Sequence, residues 1–234
     1  VPALLEMLKE DATGETRSDV ARVLGEIGDP AAFAPLLKSL EQMSKGRESL
    51  LWALGHFGST NAIPALAAAL KSTEREESFA AAYALAEIGG ADSATALAAN
   101  LADKDRFSRY GKACALALLG RADGLDTVKA GLQAKEAWQR FGAIIALARL
   151  GLPANAPEWE PALNDADPSL RLLAAGAAGG RVVPALTAML GDRSDDYRQY
   201  AARAQMFFED PAALPALREA CKDRNPSVRE AAQL

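Results

Sequence analysis

The chain has 234 residues, half of them apolar but only 6% aromatic, with a net charge of -5 and a pI near 5.1. That balance argues against nucleic-acid binding by phosphate neutralisation, which needs a basic face, and it disfavours an anionic membrane surface. No apolar run reaches the roughly 20 residues of a membrane span, so no membrane partner is expected.

The patterns along the chain are helical and they repeat. Val20-Ala-Arg-Val-Leu-Gly-Glu-Ile-Gly28 returns as Leu50-Leu-Trp-Ala-Leu-Gly-His-Phe-Gly58, as Phe79-Ala-Ala-Ala-Tyr-Ala-Leu-Ala-Glu-Ile-Gly89, as Lys112-Ala-Cys-Ala-Leu-Ala-Leu-Leu-Gly120 and as Ala143-Ile-Ile-Ala-Leu-Ala-Arg-Leu-Gly151. The closing glycines recur every 30 or 31 residues, the mark of a stacked array with one continuous core. Each glycine suits the left-handed residue that ends a helix.

Before each of these helices runs another, with apolar residues four apart on one face: Leu4/Leu8, Leu36/Leu40, Leu66/Leu70, Leu97/Leu101, Val128/Leu132, Trp159/Leu163, Leu186/Leu190 and Leu217/Cys221. Pro2, Pro35, Pro64, Pro184 and Pro215 stand near its start, where a missing N–H costs nothing. Second helices often follow an acidic or Asp-Pro turn, as at Asp167-Pro168, or Asn225-Pro226. This predicts an all-α, right-handed superhelix of about seven and a half helical hairpins filling 1–234 as a single array. Residues 152–183 are irregular. The loop Leu152-Pro-Ala-Asn-Ala-Pro157 shortens one helix, and Gly176-Ala-Ala-Gly-Gly180 runs almost directly into the next, so either a hinge or a packing irregularity is expected there. Both termini fall inside helix patterns and neither resembles a polar capping repeat, so the chain is expected to be a piece of a longer protein.

An acidic residue precedes an arginine by six positions in Asp11/Arg17, Glu41/Arg47, Asp103/Arg109, Asp165/Arg171, Asp192/Arg198 and Asp223/Arg229; Ser72/Ser78 and Ala134/Arg140 break the series. The arginine can reach the acid of its own or a neighbouring unit. Recurrence marks this ladder as structural stitching, since an active site has no reason to repeat.

Hairpins of about 31 residues with Pro-Ala-Leu in the first helix, Asp-x5-Arg across the turn and Ala-Leu-Gly-x-Ile-Gly closing the second resemble HEAT-like repeats, in particular the short type found in phycobilisome lyases. The resemblance covers essentially the whole chain and implies the fold. Its members include scaffolds, lyase subunits, hydroxylases and DNA-repair enzymes, so it leaves function open.

Counted back from the closing glycine, the positions that vary form one stripe on each second helix. That stripe is the expected concave binding face. It carries Glu15, Asp19, Arg22 and Glu26, then Lys45, Glu48, Trp52 and His56, and then Phe79, Tyr83 and Glu87. Phe107, Tyr110 and Cys114 follow, then Trp138, Phe141, Ile145 and Arg149, Leu172 and Leu173, and finally Asp196, Gln199, Tyr200, Arg203 and Phe207. Phe79, Tyr110 and Phe141 recur at a spacing of 31. Aromatic residues rimmed by charge are how protein-recognition surfaces look. The expected groove therefore consists of Trp52, Phe79, Tyr83, Phe107, Tyr110, Trp138, Phe141, Arg149 and Arg203, and the expected occupant is an apolar or amphipathic segment of a protein partner.

No catalytic residue, metal site or cofactor is expected. His56 is the only histidine, too few for a metal centre or a histidine-based nucleophile, and it reads as a partly exposed groove residue. The hydroxylases of the resembled family carry several His-Glu pairs for two irons; this chain has none. The Gly-x-x-Gly pairs close helices and do not open phosphate loops. Cys114 and Cys221 read as small buried hydrophobes in a reducing, cytoplasmic compartment. A non-catalytic scaffold or adaptor is the expectation. The alternative is a bilin lyase subunit, with Arg22, Arg149 or Arg203 near the propionates of a linear tetrapyrrole. Oligomeric state is not legible.

Overall fold

The computed structural model of the chain describes residues 1–10, 15–43, 47–208 and 210–233, and the side chains of all of these except 9, 10, 15 and 16. Asp11 of the ladder, Lys45 of the stripe and the side chain of Glu15 lie outside them. The described residues form sixteen α-helices, with short 3-10 turns before three of them and no strand. This is an all-α solenoid of helical hairpins.

Two compact units divide it, 1–119 and 120–234. The first holds α1 (Pro2–Glu10), α2 (Glu15–Ile27), α3 (Pro30–Gln42), α4 (Glu48–His56), α5 (Ile63–Ala69), α6 (Arg75–Ile88), α7 (Gly90–Ala99) and α8 (Arg106–Leu118). The second helices α2, α4, α6 and α8 pack side by side. Alanine and glycine make the close approach possible: a Cβ added at Gly25 would fall 2.9 Å from Ala53. Leu24, Leu54, Leu85 and Leu116 are wholly buried, each worth about 1.5–3 kcal/mol of apolar burial.

The second unit holds α9 (Leu125–Gly131), α10 (Ala137–Arg149), α11 (Glu160–Leu163), α12 (Pro168–Ala178), α13 (Val182–Met189), α14 (Asp195–Gln205), α15 (Leu214–Ala220) and α16 (Pro226–Ala231). Gly28, Gly58, Gly89, Gly120 and Gly151 all have φ between 61° and 75°, as a left-handed closing residue requires. Asp105, Asp167, Ser194 and Asn225 cap second helices by accepting from backbone N–H groups. Gly176 has a packing role, since a Cβ there would lie 2.4 Å from that of Ala185, where α12 meets α13, while Gly180 has a left-handed φ of 67°.

The charge ladder resolves into two separate jobs. Five of the arginines donate Nη1 to the main-chain carbonyl six residues before them: Arg109 to Asp103, Arg140 to Ala134, Arg171 to Asp165, Arg198 to Asp192 and Arg229 to Asp223. The carboxylates instead cap the backbone two residues on and pair with other units. Arg140 grips Asp165 and Arg198 grips Asp223, each through two nitrogens. Where Ser78 replaces the arginine, Lys112 takes Asp103 at 2.7 Å. Where Ser72 replaces the acid, Glu77 receives Arg47 at 2.6 Å. Arg17 is half-buried.

Candidate functional site

Four aromatic residues of the first unit form a row across three successive second helices. Trp52 on α4 lies 6.1 Å from Tyr83 on α6, Tyr83 lies 4.6 Å from Phe79 one turn earlier, and Phe79 lies 5.5 Å from Phe107 at the start of α8. All four are half-buried. The rings rest on the alanine-rich second helices: Ala80, Ala81, Ala82 and Ala84 of α6 are buried, so larger residues of the stripe are pushed outward. A Cβ on Gly111 would meet the Phe79 ring at 2.8 Å. Such ring contacts add about 0.5–1.5 kcal/mol each beyond burial. Burial raises the Tyr83 phenol well above its usual range, so it is neutral and acts as an apolar face with a hydroxyl.

Two residues expected in the groove are not part of any surface. Tyr110 is 4% exposed and Phe141 is 6% exposed. Phe79 stands at the same register, 31 and 62 residues earlier, yet is only half-buried, so an equivalent place in the repeat does not fix exposure. Tyr110 is instead a partner of Cys114, whose thiol burial pushes up to about 12, its hydrogen bond with Tyr110 opposing that only in part. A thiol so placed is no nucleophile.

In the second unit Phe141 meets Tyr200 at 5.4 Å, and Tyr200 meets Tyr197 at 6.3 Å. The Tyr197 hydroxyl donates to Asp167 at 2.5 Å. Burial first, and that carboxylate second, raise its pKa. Trp138 and Arg203 are half-buried and Arg149 is exposed. Leu172 is exposed while Leu173 is fully buried.

His56 differs from its expected state. Its side chain is 6% exposed and Nδ1 lies 2.9 Å from Glu87 Oε2, itself 4% exposed. The two occupy equivalent places on α4 and α6, 31 residues apart, so the contact is another stitch between hairpins. Among the described residues no group of three or more His, Cys, Asp or Glu could hold a metal ion, and no helix is long and apolar enough to cross a membrane. Sequence reasoning missed the substitutes Glu77 and Lys112, although the broken ladder at Ser72 and Ser78 was the signal for both. It also passed over Gln205, whose side chain is buried on α14.

The HEAT-repeat family model matches residues 44–113 and 156–234, well over half of the chain. The chain belongs to the HEAT-repeat family. Residues 16–42 match the PBS lyase HEAT-like repeat. No curated protein sequence matches. Among solved structures the fold is similar to that of the CpcE–CpcF complex of phycocyanin lyase from Nostoc sp. PCC7120, with 18% identity, a TM-score of 0.59 and coverage of 93% of this chain and 92% of that one. Human deoxyhypusine hydroxylase in complex with glycerol aligns at 20% identity over 98% and 81% of the two chains, with a TM-score of 0.36. An engineered protein aligns at 19% identity over 100% and 76%, with a TM-score of 0.47.

The PBS lyase HEAT-like match at 16–42 corrects the expectation that the chain takes no part in catalysis, which does not stand. The likeness to the phycocyanin lyase complex is one of fold. At this level the HEAT-repeat protein is a repeat array with a lyase-type segment.

Proposed function

We propose that this array recognises a partner protein through the ring row of its first unit, taking an apolar or amphipathic segment across Trp52, Tyr83, Phe79 and Phe107. The observation that carries the reading is the row itself. Four half-buried rings follow one another at 4.6–6.1 Å over three hairpins whose other faces are alanine and leucine packing. Large, rigid rings with little entropy to lose are what binding hot spots are made of. Replacing Trp52 and Phe107 together by alanine removes both ends of the row without touching a fully buried residue. The variant is expected to keep its helical circular dichroism and to lose the partner in affinity capture. Retained capture by a folded variant would defeat the reading.

A second reading follows from the lyase-type repeat and from the likeness to phycocyanin lyase. On it, the chain is a lyase subunit that handles a bilin, and the same rings hold the chromophore. Mixing the protein with phycocyanobilin separates the two. A lyase subunit shifts the visible absorption of the bilin, and the shift is lost in the Trp52/Phe107 variant; a protein-recognition array leaves the spectrum unchanged.

A further inference from the structure

Two carboxylates accompany the ring row of the first unit. Glu48 stands four residues before Trp52 on α4, and Glu76 stands three before Phe79 on α6, so each shares a helix face with its ring. The repeat relates them to the next hairpin in the same way. Trp52 meets Tyr83 and His56 meets Glu87, each 31 residues on. The same offset leads from Glu48 to Phe79 and from Glu76 to Phe107. Glu48 is half-buried and Glu76 is exposed.

The cations around them are engaged elsewhere: Arg22 with Glu26, Arg47 with Glu77, Arg75 with Asp105 and Lys112 with Asp103. Arg106, next to Phe107, pairs with neither carboxylate, and among the described residues no ion pair takes Glu48 or Glu76. The row is therefore an apolar surface whose own uncompensated charge is negative. Its complement carries cations on apolar stems. A lysine or arginine can lay its methylenes along a ring while its head reaches the carboxylate, and a cation over a ring face is attracted by the ring itself. A segment bearing carboxylates there would meet like charge, which selects against it.

We infer that the ring row takes a basic amphipathic segment, with apolar residues on Trp52, Tyr83, Phe79 and Phe107 and a lysine or arginine at each of Glu48 and Glu76. This charge selection rests on the row being the docking surface proposed above, and it names what that surface accepts.

The probes are three amphipathic helical peptides of about 14 residues, which at 1.5 Å per residue exceed the length of the row. They share one leucine face and carry Lys, Gln or Glu at every polar position. Each is titrated calorimetrically into the full chain. The Lys peptide is expected to bind about tenfold more tightly than the Gln peptide, the size that two partly exposed charge pairs give, and the Glu peptide more weakly than either. Glu48→Gln/Glu76→Gln should erase the preference for Lys over Gln while the Gln peptide still binds. Glu41→Gln/Asp92→Asn removes the same charge from exposed sites on α3 and α7 and should keep the preference. Trp52→Ala/Phe107→Ala should lose both peptides.

Equal binding of the Lys and Gln peptides, with both lost in the ring variant, would overturn the charge selection and leave the docking surface standing. A preference that survives Glu48→Gln/Glu76→Gln, or that Glu41→Gln/Asp92→Asn also erases, would overturn the charge selection too. Binding that persists in the ring variant, or no binding of any peptide, would overturn the docking surface and the charge selection together.

Discussion

Arg198 serves two hairpins with one guanidinium: Nε donates to Asp223 Oδ2 at 2.7 Å, while Nη1 donates to the carbonyl of Asp192 at 2.9 Å. Its residue is 5% exposed and Nη2 reaches Asp195 as well. The fork shape matters, because a lysine ammonium cannot satisfy both directions. Arg198→Ala is expected to lower unfolding stability by about 3 kcal/mol, as breaking a buried pair leaves Asp223 uncompensated. Arg198→Lys should lose a smaller part. Urea titration monitored by circular dichroism checks both; equal stability of Arg198→Lys and the parent would show that only charge is needed.

The same cluster sets a pH dependence. Hydrogen bonds from Asn225 first, then from Arg198 and Arg224, hold Asp195 at about 2, below its ordinary 3.8. Arg198 likewise lowers Asp223, and Lys112 lowers Asp103. Each folded pKa lies below the unfolded one, so the folded state binds fewer protons. The stability from these carboxylates is therefore complete above about pH 4 and is lost as pH falls toward 2. In thermal melts Asp195→Asn should be less stable than the parent at neutral pH, and the difference should shrink through that window. A gap that stays constant down to pH 2 contradicts the assignment.

The sequence carried the fold because the repeat wrote it several times over. The closing glycines, the leucine four residues before each and the small residues around it occupy the places their periodicity implies. The ladder was legible as stitching, but its wiring was not. Which acid an arginine meets depends on the offset between hairpins, which no single repeat contains. Ala134 illustrates why the pattern misled: the main-chain carbonyl is what Arg140 needs at that place, so the side chain there is free to vary. The candidate face was half legible. Trp52, Phe79, Tyr83 and Phe107 are half-buried rings in a row, whereas Tyr110 and Phe141 share their spacing yet point inward. A column of like residues reports equivalent positions and says nothing of which side they face.

Gly176 is a sharper test of close packing than any leucine. A methyl placed there would sit 2.4 Å from the Ala185 Cβ and 3.0 Å from the Arg181 carbonyl oxygen, so α12 and α13 would have to separate. Gly176→Ala is expected to destabilise by about 1–3 kcal/mol, despite the better helix propensity of alanine. Gly191→Ala, whose nearest atom would be 3.5 Å away, serves as the control and should be near neutral. Adding Ala185→Gly to Gly176→Ala should restore part of the loss. Thermal denaturation reads all three, and a stabilised Gly176→Ala would refute the contact.

Tyr110 and Phe141 separate a packing role from a recognition role. Both are nearly inaccessible, Tyr110 in contact with Cys114 and Phe141 against Tyr200. Truncating a buried aromatic ring removes its transfer energy and leaves a cavity, for a loss of about 3–5 kcal/mol. Tyr110→Ala and Phe141→Ala are therefore expected to lower Tm markedly in each unit. Tyr110→Phe, which keeps the ring, should lose far less. The ring row behaves differently: the Trp52/Phe107 double alanine variant should lose less stability than Tyr110→Ala alone, because its rings are only half-buried. Differential scanning calorimetry on the four proteins decides the point. If Tyr110→Ala melts with the parent while the double variant collapses, the outward and inward faces of these helices have been assigned the wrong way round.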